Sequence, residues 1–246
     1  MTATLTAPAR TAVPVAGRIL RTLRGDRRTL GMVVVLPLFI VYLMSEVFVA
    51  GQSVAASLLA IFVFFLTYQL TAIGFLRERT AGTLDRVLVA PVSRTGLVLG
   101  YVLGYGVLAT VQSLVLLVAA VEFLDVTFAH GAALFVVVEL LGALTALGIG
   151  VTLSLFADNE FQAMQFIPAV IAPQVILGGT VLPVDQLPIY LELPARLMPV
   201  TYLVRAMEYV ILDEWSPGEF RVAVAALVVF AAVAVAAAAA VVRQAG

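Results

Sequence analysis

Arg77-Glu78-Arg79-Thr80-Ala81-Gly82-Thr83-Leu84-Asp85-Arg86, with Pro91 and Arg94 close behind, is the only dense run of charge inside an otherwise apolar chain. Guanidiniums and carboxylates in such a run make ion pairs and charge-assisted hydrogen bonds, which is recognition chemistry rather than covalent chemistry. The chain has no cysteine and a single histidine, His130. That excludes disulfides, thiolate metal sites and cysteine nucleophiles, and leaves no material for a zinc cluster or a histidine-centred triad. All 14 basic residues are arginine. A phosphate loop of the G-x-x-x-x-G-K-[ST] type needs a lysine, so the chain carries none. No catalytic or metal site is expected.

Glu139 is the second chemical candidate, because it lies inside a long apolar run. An acidic residue at mid-helix costs about 2.5–3.5 kcal/mol on insertion scales. Such residues face a bundle interior or a cavity. Glu139 is therefore either a contact for a cationic substrate or a gate element, or a neutral carboxyl bonded to a neighbouring helix. Gln69, Gln112, Gln165 and Gln174 also fall within or near apolar runs. They bond between helices or line a pathway. Gly96, Gly100 and Gly104 recur at every fourth position, a spacing that lets another helix approach closely.

The elements that must hold these residues are helices in a membrane. The 246 residues are 63% hydrophobic and only 12% charged, and apolar runs recur along the whole length. The expected class is all-α, a polytopic membrane protein forming one transmembrane domain. Alternating short segments, the mark of a membrane β-barrel, are absent. Six spans are expected, near 30–50, 53–75, 96–121, 131–156, 164–182 and 219–242. Pro37 is a candidate kink in the first, and the last is nearly pure Ala and Val. Residues 1–13 are Thr/Ala/Pro-rich and expected to be disordered. Residues 15–30 read as an amphipathic interfacial helix. Val15, Ala16, Ile19, Leu20, Leu23 and Leu30 share one face, and Arg18, Arg21, Arg24 and Arg28 the other. The run after Arg28 is too long, and lacks the small-residue end, for a cleaved signal peptide.

Arginine placement orients the chain. With the N-terminus inside, eleven of the 14 arginines fall on the cytoplasmic side, so both termini are expected in the cytoplasm of a bacterial plasma membrane. The outer segment 183–218 carries Pro183, Pro188, Pro194, Pro199 and Pro217 among many apolar residues. It reads as short re-entrant helices at the outer interface, with Pro199 starting one of them.

On a helical wheel, Glu78 and Asp85 stack on one face, as do Arg79 and Arg86, each pair being seven residues apart. Spacing alone leaves two readings open: a docking surface, or a plain connector between 76 and 95 whose arginines set topology. The residue types add more. Glu78-Arg79-x-x-Gly82-Thr83-Leu84-Asp85-Arg86-x-Leu88-x-x-Pro91-x-Ser93-Arg94, between the second and third of six spans, resembles the ABC-2 type permeases. It is most similar to their daunorubicin-resistance-type drug-export subgroup. Gly178-Gly179 and Pro183, then Leu187-Pro188 and Pro199-x-Thr201-Tyr202, resemble the same family's pattern around its outer re-entrant helices.

The resemblance implies a permease subunit of an ATP-driven exporter for an amphiphilic small molecule. ATP and Mg would be bound by a separate cytoplasmic ATPase partner, and none by this chain. It implies a second permease copy or homologue, contact with membrane lipids, and no nucleic acid. The N-terminal helix, through Arg21 and Arg24, and the loop from Arg77 to Arg94 would dock the ATPase. Asp158 and Glu160 would add a secondary contact. Glu139, Gln174, Gly178 and Gly179 are the pathway or gate candidates. Export of a lipid or polysaccharide, a proton-driven transporter and a non-transporting scaffold are the competing expectations.

Overall fold

The computed structural model describes residues 8–47, 51–82 and 94–244. Their regular structure is helical: α1 (Pro8–Gly25), α2 (Arg27–Val47), α3 (Gln52–Thr80), α4 (Arg94–Leu124), α5 (Ala132–Ser154), α6 (Glu160–Leu177), α7 (Ile189–Arg196), α8 (Pro199–Leu212) and α9 (Pro217–Gln244), with a 3-10 turn over Val184–Gln186. Thr83, Leu84, Asp85, Arg86 and Pro91 lie outside the described residues, as does the side chain of Arg94.

Among the described residues, four helices are long and apolar enough to cross a bilayer, over Gln52–Thr80, Thr95–Leu124, Ala132–Ser154 and Pro217–Val242. The expected first and fifth spans fall on α2 and α6, which do not meet that measure. Among the described residues of α2, the apolar stretch is Val33–Glu46. In α6, 18 residues include Glu160, three glutamines, Pro168 and Pro173. Polar side chains and ring breaks dilute the hydropathy of a helix whose length alone would suffice.

α5 is the central helix, and its glycines show why. A Cβ on Gly142 would stand 2.5 Å from a Leu203 methyl of α8, and one on Gly148 2.5 Å from the Ala234 backbone of α9. One on Gly150 would strike the Thr71 hydroxyl of α3. Three faces of α5 thus admit three neighbours at backbone distance, the packing that replaces hydrophobic drive inside a bilayer.

α1 differs from its expected bounds at both ends. It begins at Pro8, inside the stretch expected to be disordered, and stops at Gly25 rather than near residue 30. The early start is stabilised by packing: Ala12, Val15, Ala16 and Ile19 are all buried. Their partner is α4, where a Cβ on Gly100 would sit 2.5 Å from Val15 Cβ, and one on Gly104 3.0 Å from Ile19 Cβ. The spacing of the glycines is therefore a docking groove for α1, and the apolar face of this helix meets protein. Gly25-Asp26 ends it: the Asp26 N–H bonds back to Leu23 O, and Asp26 O receives the Leu30 N–H of α2.

At the opposite end α8 is a core helix rather than a surface one, with Leu203, Val204, Ala206, Met207 and Val210 all buried. Pro199 is its first residue, as expected from sequence. Trp215 donates to the Glu208 carboxylate at 2.8 Å. Ser216 and Glu219 exchange backbone and side-chain hydrogen bonds, a capping box that sets the start of α9.

Candidate functional site

The charged run does not begin in a loop. α3 continues through Arg77, Glu78, Arg79 and Thr80, and Gly82 at φ +65° turns the chain away. Three consecutive helical residues project about 100° apart, so each of the three charges reaches a different neighbour.

Glu78 turns toward α1 and α4. The Arg18 guanidinium lies 2.5 Å from its Oε2, and the Tyr101 hydroxyl donates to the same oxygen. Both ionic partners are largely covered, with side-chain exposures of 30% for Arg18 and 15% for Glu78. Arg77 turns toward α6 and the α1–α2 junction. It grips Glu160 in a two-pronged pair, Nε to Oε1 at 2.8 Å and Nη2 to Oε2 at 3.0 Å, with Asp26 at 3.7 Å. Arg79 turns toward the end of α5, donating to Leu155 O at 2.7 Å and to Ala157 O. Those carbonyls belong to a helix C-terminus, where orphan acceptors and the helix dipole both favour a cation.

The far side of this hub is set by local sequence. Asn159 caps α6 by accepting the Gln162 N–H at 2.9 Å, and the Gln162 side chain accepts the Asp158 N–H at 2.8 Å. That exchange places Glu160 in the first turn, where the dipole supports a carboxylate. The Arg77 hydrogen bonds hold the Glu160 carboxyl below the usual carboxylate range, against a small opposing effect of burial. Because the folded value is depressed, the pair stabilises the fold above the ordinary glutamate range near 4.3 and is lost as pH falls through the lowered value. Both side chains are half exposed, at 52% and 45%, so the contribution is about 0.5 kcal/mol. We expect Glu160→Gln to lower the melting temperature slightly at pH 7, and the difference to shrink as pH falls through the lowered value. A loss that persists undiminished at low pH would refute the pairing.

Charges facing outward form a separate set. Arg21, Arg24 and Asp158 are exposed, and Phe156 and Phe161 are 64% and 71% exposed on either side of the α5–α6 turn. Sequence reading grouped Arg77, Glu78, Arg79 and Glu160 with these. The structure instead engages those four within the chain. It also adds partners that sequence reading missed: Arg18, Asp26, Tyr101 and the α5 carbonyls. Arg18 was visible as a polar position on α1. Tyr101, 23 residues from Glu78, carries no local signal of its role.

The pathway candidates occupy other places. Gln174 Oε1 accepts the Val200 N–H at 3.2 Å, so it caps α8. A Cβ on Gly178 would strike Gln174 O, and Gly179 turns the chain at φ +86°. These three build the α6–α8 junction. Glu139 is fully buried, and neither of its oxygens has a hydrogen-bond partner. The Ser113 hydroxyl of α4 lies close enough to act on this carboxyl as a hydrogen-bonding neighbour, but among the described residues the two do not reach good hydrogen-bond geometry. No cavity described for the chain is lined by Glu139. Glu139→Leu keeps the bulk and removes two unpartnered oxygens; we expect it to stabilise the protein by ~1 kcal/mol. A loss of stability in thermal melting would show that the carboxyl has a partner.

Long apolar helices, a short core helix at one end and a charge hub at the other define an integral membrane protein. A model of the family described as ABC-2 type transporter matches residues 15–212, and the chain belongs to that family. It is 26% identical over 146 residues to the probable multidrug ABC transporter permease YbhR of Escherichia coli (strain K12), covering 59% of this chain and 40% of that one. It is 29% identical over 143 residues to ABC transporter G family member 20 of Dictyostelium discoideum, covering 58% of this chain and 20% of that one. The linearmycin resistance permease protein LnrN of Bacillus subtilis (strain 168) is 27% identical over 148 residues, covering 60% and 38%. The matched stretch thus spans two fifths or less of each relative.

Proposed function

We propose that this chain is the membrane subunit of an ATP-driven exporter of an amphiphilic small molecule, working with a cytoplasmic ATPase and a second permease copy or homologue. The observation that carries the reading is the hub at the end of α3, which joins α1, α4, α5 and α6 beside an outward set of charges. ATP and Mg belong to the partner. Both termini are cytoplasmic, α2 and α6 complete six crossings, and α7 and α8 re-enter from the outer face. Arg21, Arg24 and Asp158, with Phe156 and Phe161, make the surface the ATPase meets, and the sequence from Thr83 to Arg94 is assigned to the same contact by its motif. Arg77, Glu78, Arg79 and Glu160 sit behind that surface and pass its movement on. Docking shifts the bundle only if the ATP-bound partner favours one of two arrangements.

The test is co-reconstitution with a candidate cytoplasmic ATPase of the same organism. Substrate-stimulated ATP hydrolysis and ATP-dependent efflux are expected. Removing the surface charges together (Arg21→Ala, Arg24→Ala, Asp158→Ala) should weaken association while leaving the melting temperature unchanged. Transport that ignores ATP and follows a proton gradient would overturn the reading.

A further inference from the structure

α2 rests mainly on α4 and touches α1, and it leaves the flank of α3 uncovered. The wedge between α2 and α3, closed by α1 and α6, is a cavity of about 540 Å³. Small-molecule sites run from roughly 300 to 1,000 Å³. Its walls are apolar: Leu36 on α2, Leu66, Leu70 and Ile73 on α3, Met164 on α6. Its end is the hub, with Arg18, Asp26, Arg77 and Glu78. The space therefore has an apolar barrel and a polar floor, the shape of an amphiphile.

The floor also selects the head group. The four charged residues that line the space cancel: Arg18 pairs with Glu78, and Arg77 faces Asp26. Balanced pairs offer no excess charge of one sign, so an ionic head gains little there and loses its hydration. Three neutral polar side chains line it: Thr22, whose hydroxyl already donates to the Arg18 carbonyl, the Gln69 amide and the Tyr105 hydroxyl. Tyr105 stands where a Cβ on Gly74 would collide with its hydroxyl, so the glycine seats that hydroxyl against α3. An amide and a phenol together donate to carbonyl, ether or hydroxyl oxygens.

We infer that this wedge binds an amphiphile with one apolar arm and an uncharged, oxygen-bearing head, taken from the leaflet at the Arg77 end. The arm lies along Leu66 and Leu70, and the head meets Gln69 and Tyr105. The inference names the substrate class for the export reading and rests on it for direction of movement. Binding itself stands on the cavity.

The experiment uses the purified chain in lipid nanodiscs and a monoacylglycerol with a diazirine in its acyl chain, with crosslinks mapped by mass spectrometry. Saturable labelling of α2 and α3, displaced by unlabelled monoacylglycerol, is expected. Ile73→Trp, which fills the barrel, should reduce it by about tenfold or more. Tyr105→Phe keeps the volume, guards against misfolding in the first variant, and should weaken binding by about fivefold, the loss of one hydrogen bond. Labelling spread evenly over lipid-facing helices would overturn the site. Equal labelling of the wedge by a diazirine fatty acid, a diazirine alkylamine or a diazirine phosphatidylcholine would overturn the uncharged head, the last by assigning the space to bilayer lipid. Expected binding without ATP-dependent transport would count against export alone. Transport with an unlabelled wedge would count against the site alone.

Discussion

Glu78→Ala is expected to lower ATP-coupled transport tenfold or more and to destabilise the fold by ~2–3 kcal/mol, somewhat below the range for breaking a fully buried ion pair. The discount reflects the 30% exposure that Arg18 keeps. The effect is large because one carboxylate holds two helices. Without it the Arg18 guanidinium remains part-buried with no counter-charge, and the Tyr101 hydroxyl loses its acceptor. α1 would then be held to the bundle by apolar packing, chiefly against α4. Melting temperature, proteolysis within α1 and efflux should move together. A double-mutant cycle between Arg18→Met and Glu78→Gln should give a coupling energy of ~1 kcal/mol or more. Additive effects, with no coupling, would remove Glu78 from the role assigned here.

Gly100→Ile attacks the same helix from its other side. The first added carbon would stand 2.5 Å from Val15 Cβ and 3.0 Å from the Ala12 carbonyl oxygen. The second neighbour is backbone, which a rotamer change cannot clear. Overpacking of this kind costs about 1–3 kcal/mol, and here the cheapest relief is for α1 to lift away from α4. The absence of native cysteine makes the measurement clean. Ile19 is 2% exposed, so Ile19→Cys should resist maleimide in the parent and react quickly once Gly100→Ile is added. Gly106→Ile is the control on the same helix, because nothing lies within 4 Å of its added Cβ. Equal reactivity in both variants would mean that α1 does not rest on Gly100.

Much of this architecture was legible because it is local. Apolar runs announce helices, the 3.6-residue pattern separates Ile19 from Arg21, and four-residue glycine spacing marks a close contact. The boundaries of α1 were harder to read. Pro8 to Ala12 resemble a tail in composition, and only the α4 groove makes them a helix. The direction of the charges was not legible at all. Glu160 lies 83 residues beyond Arg77, and no periodicity reports which distant carboxylate a given arginine will meet. Glu139 was ambiguous for a different reason. Its depth was predictable, but whether depth meant cavity or core depended on how α3, α4 and α5 close around it.

The separations in the hub also set a timetable. Arg18 meets Glu78 across 60 residues, Arg79 meets Ala157 across 78, and Arg77 meets Glu160 across 83. At about 5–20 residues per second of synthesis, Arg77 emerges roughly 4–17 s before Glu160, given their separation of 83 residues. Throughout that interval Arg77 lacks its two-pronged partner and has only Asp26, at 3.7 Å in the finished fold, besides water and lipid headgroups. The hub therefore closes late in biogenesis, only after the α5–α6 turn has been made. A chain truncated before Glu160 would present an arginine-rich, unlocked end, a distinctive mark by which quality control could tell unfinished copies from finished ones.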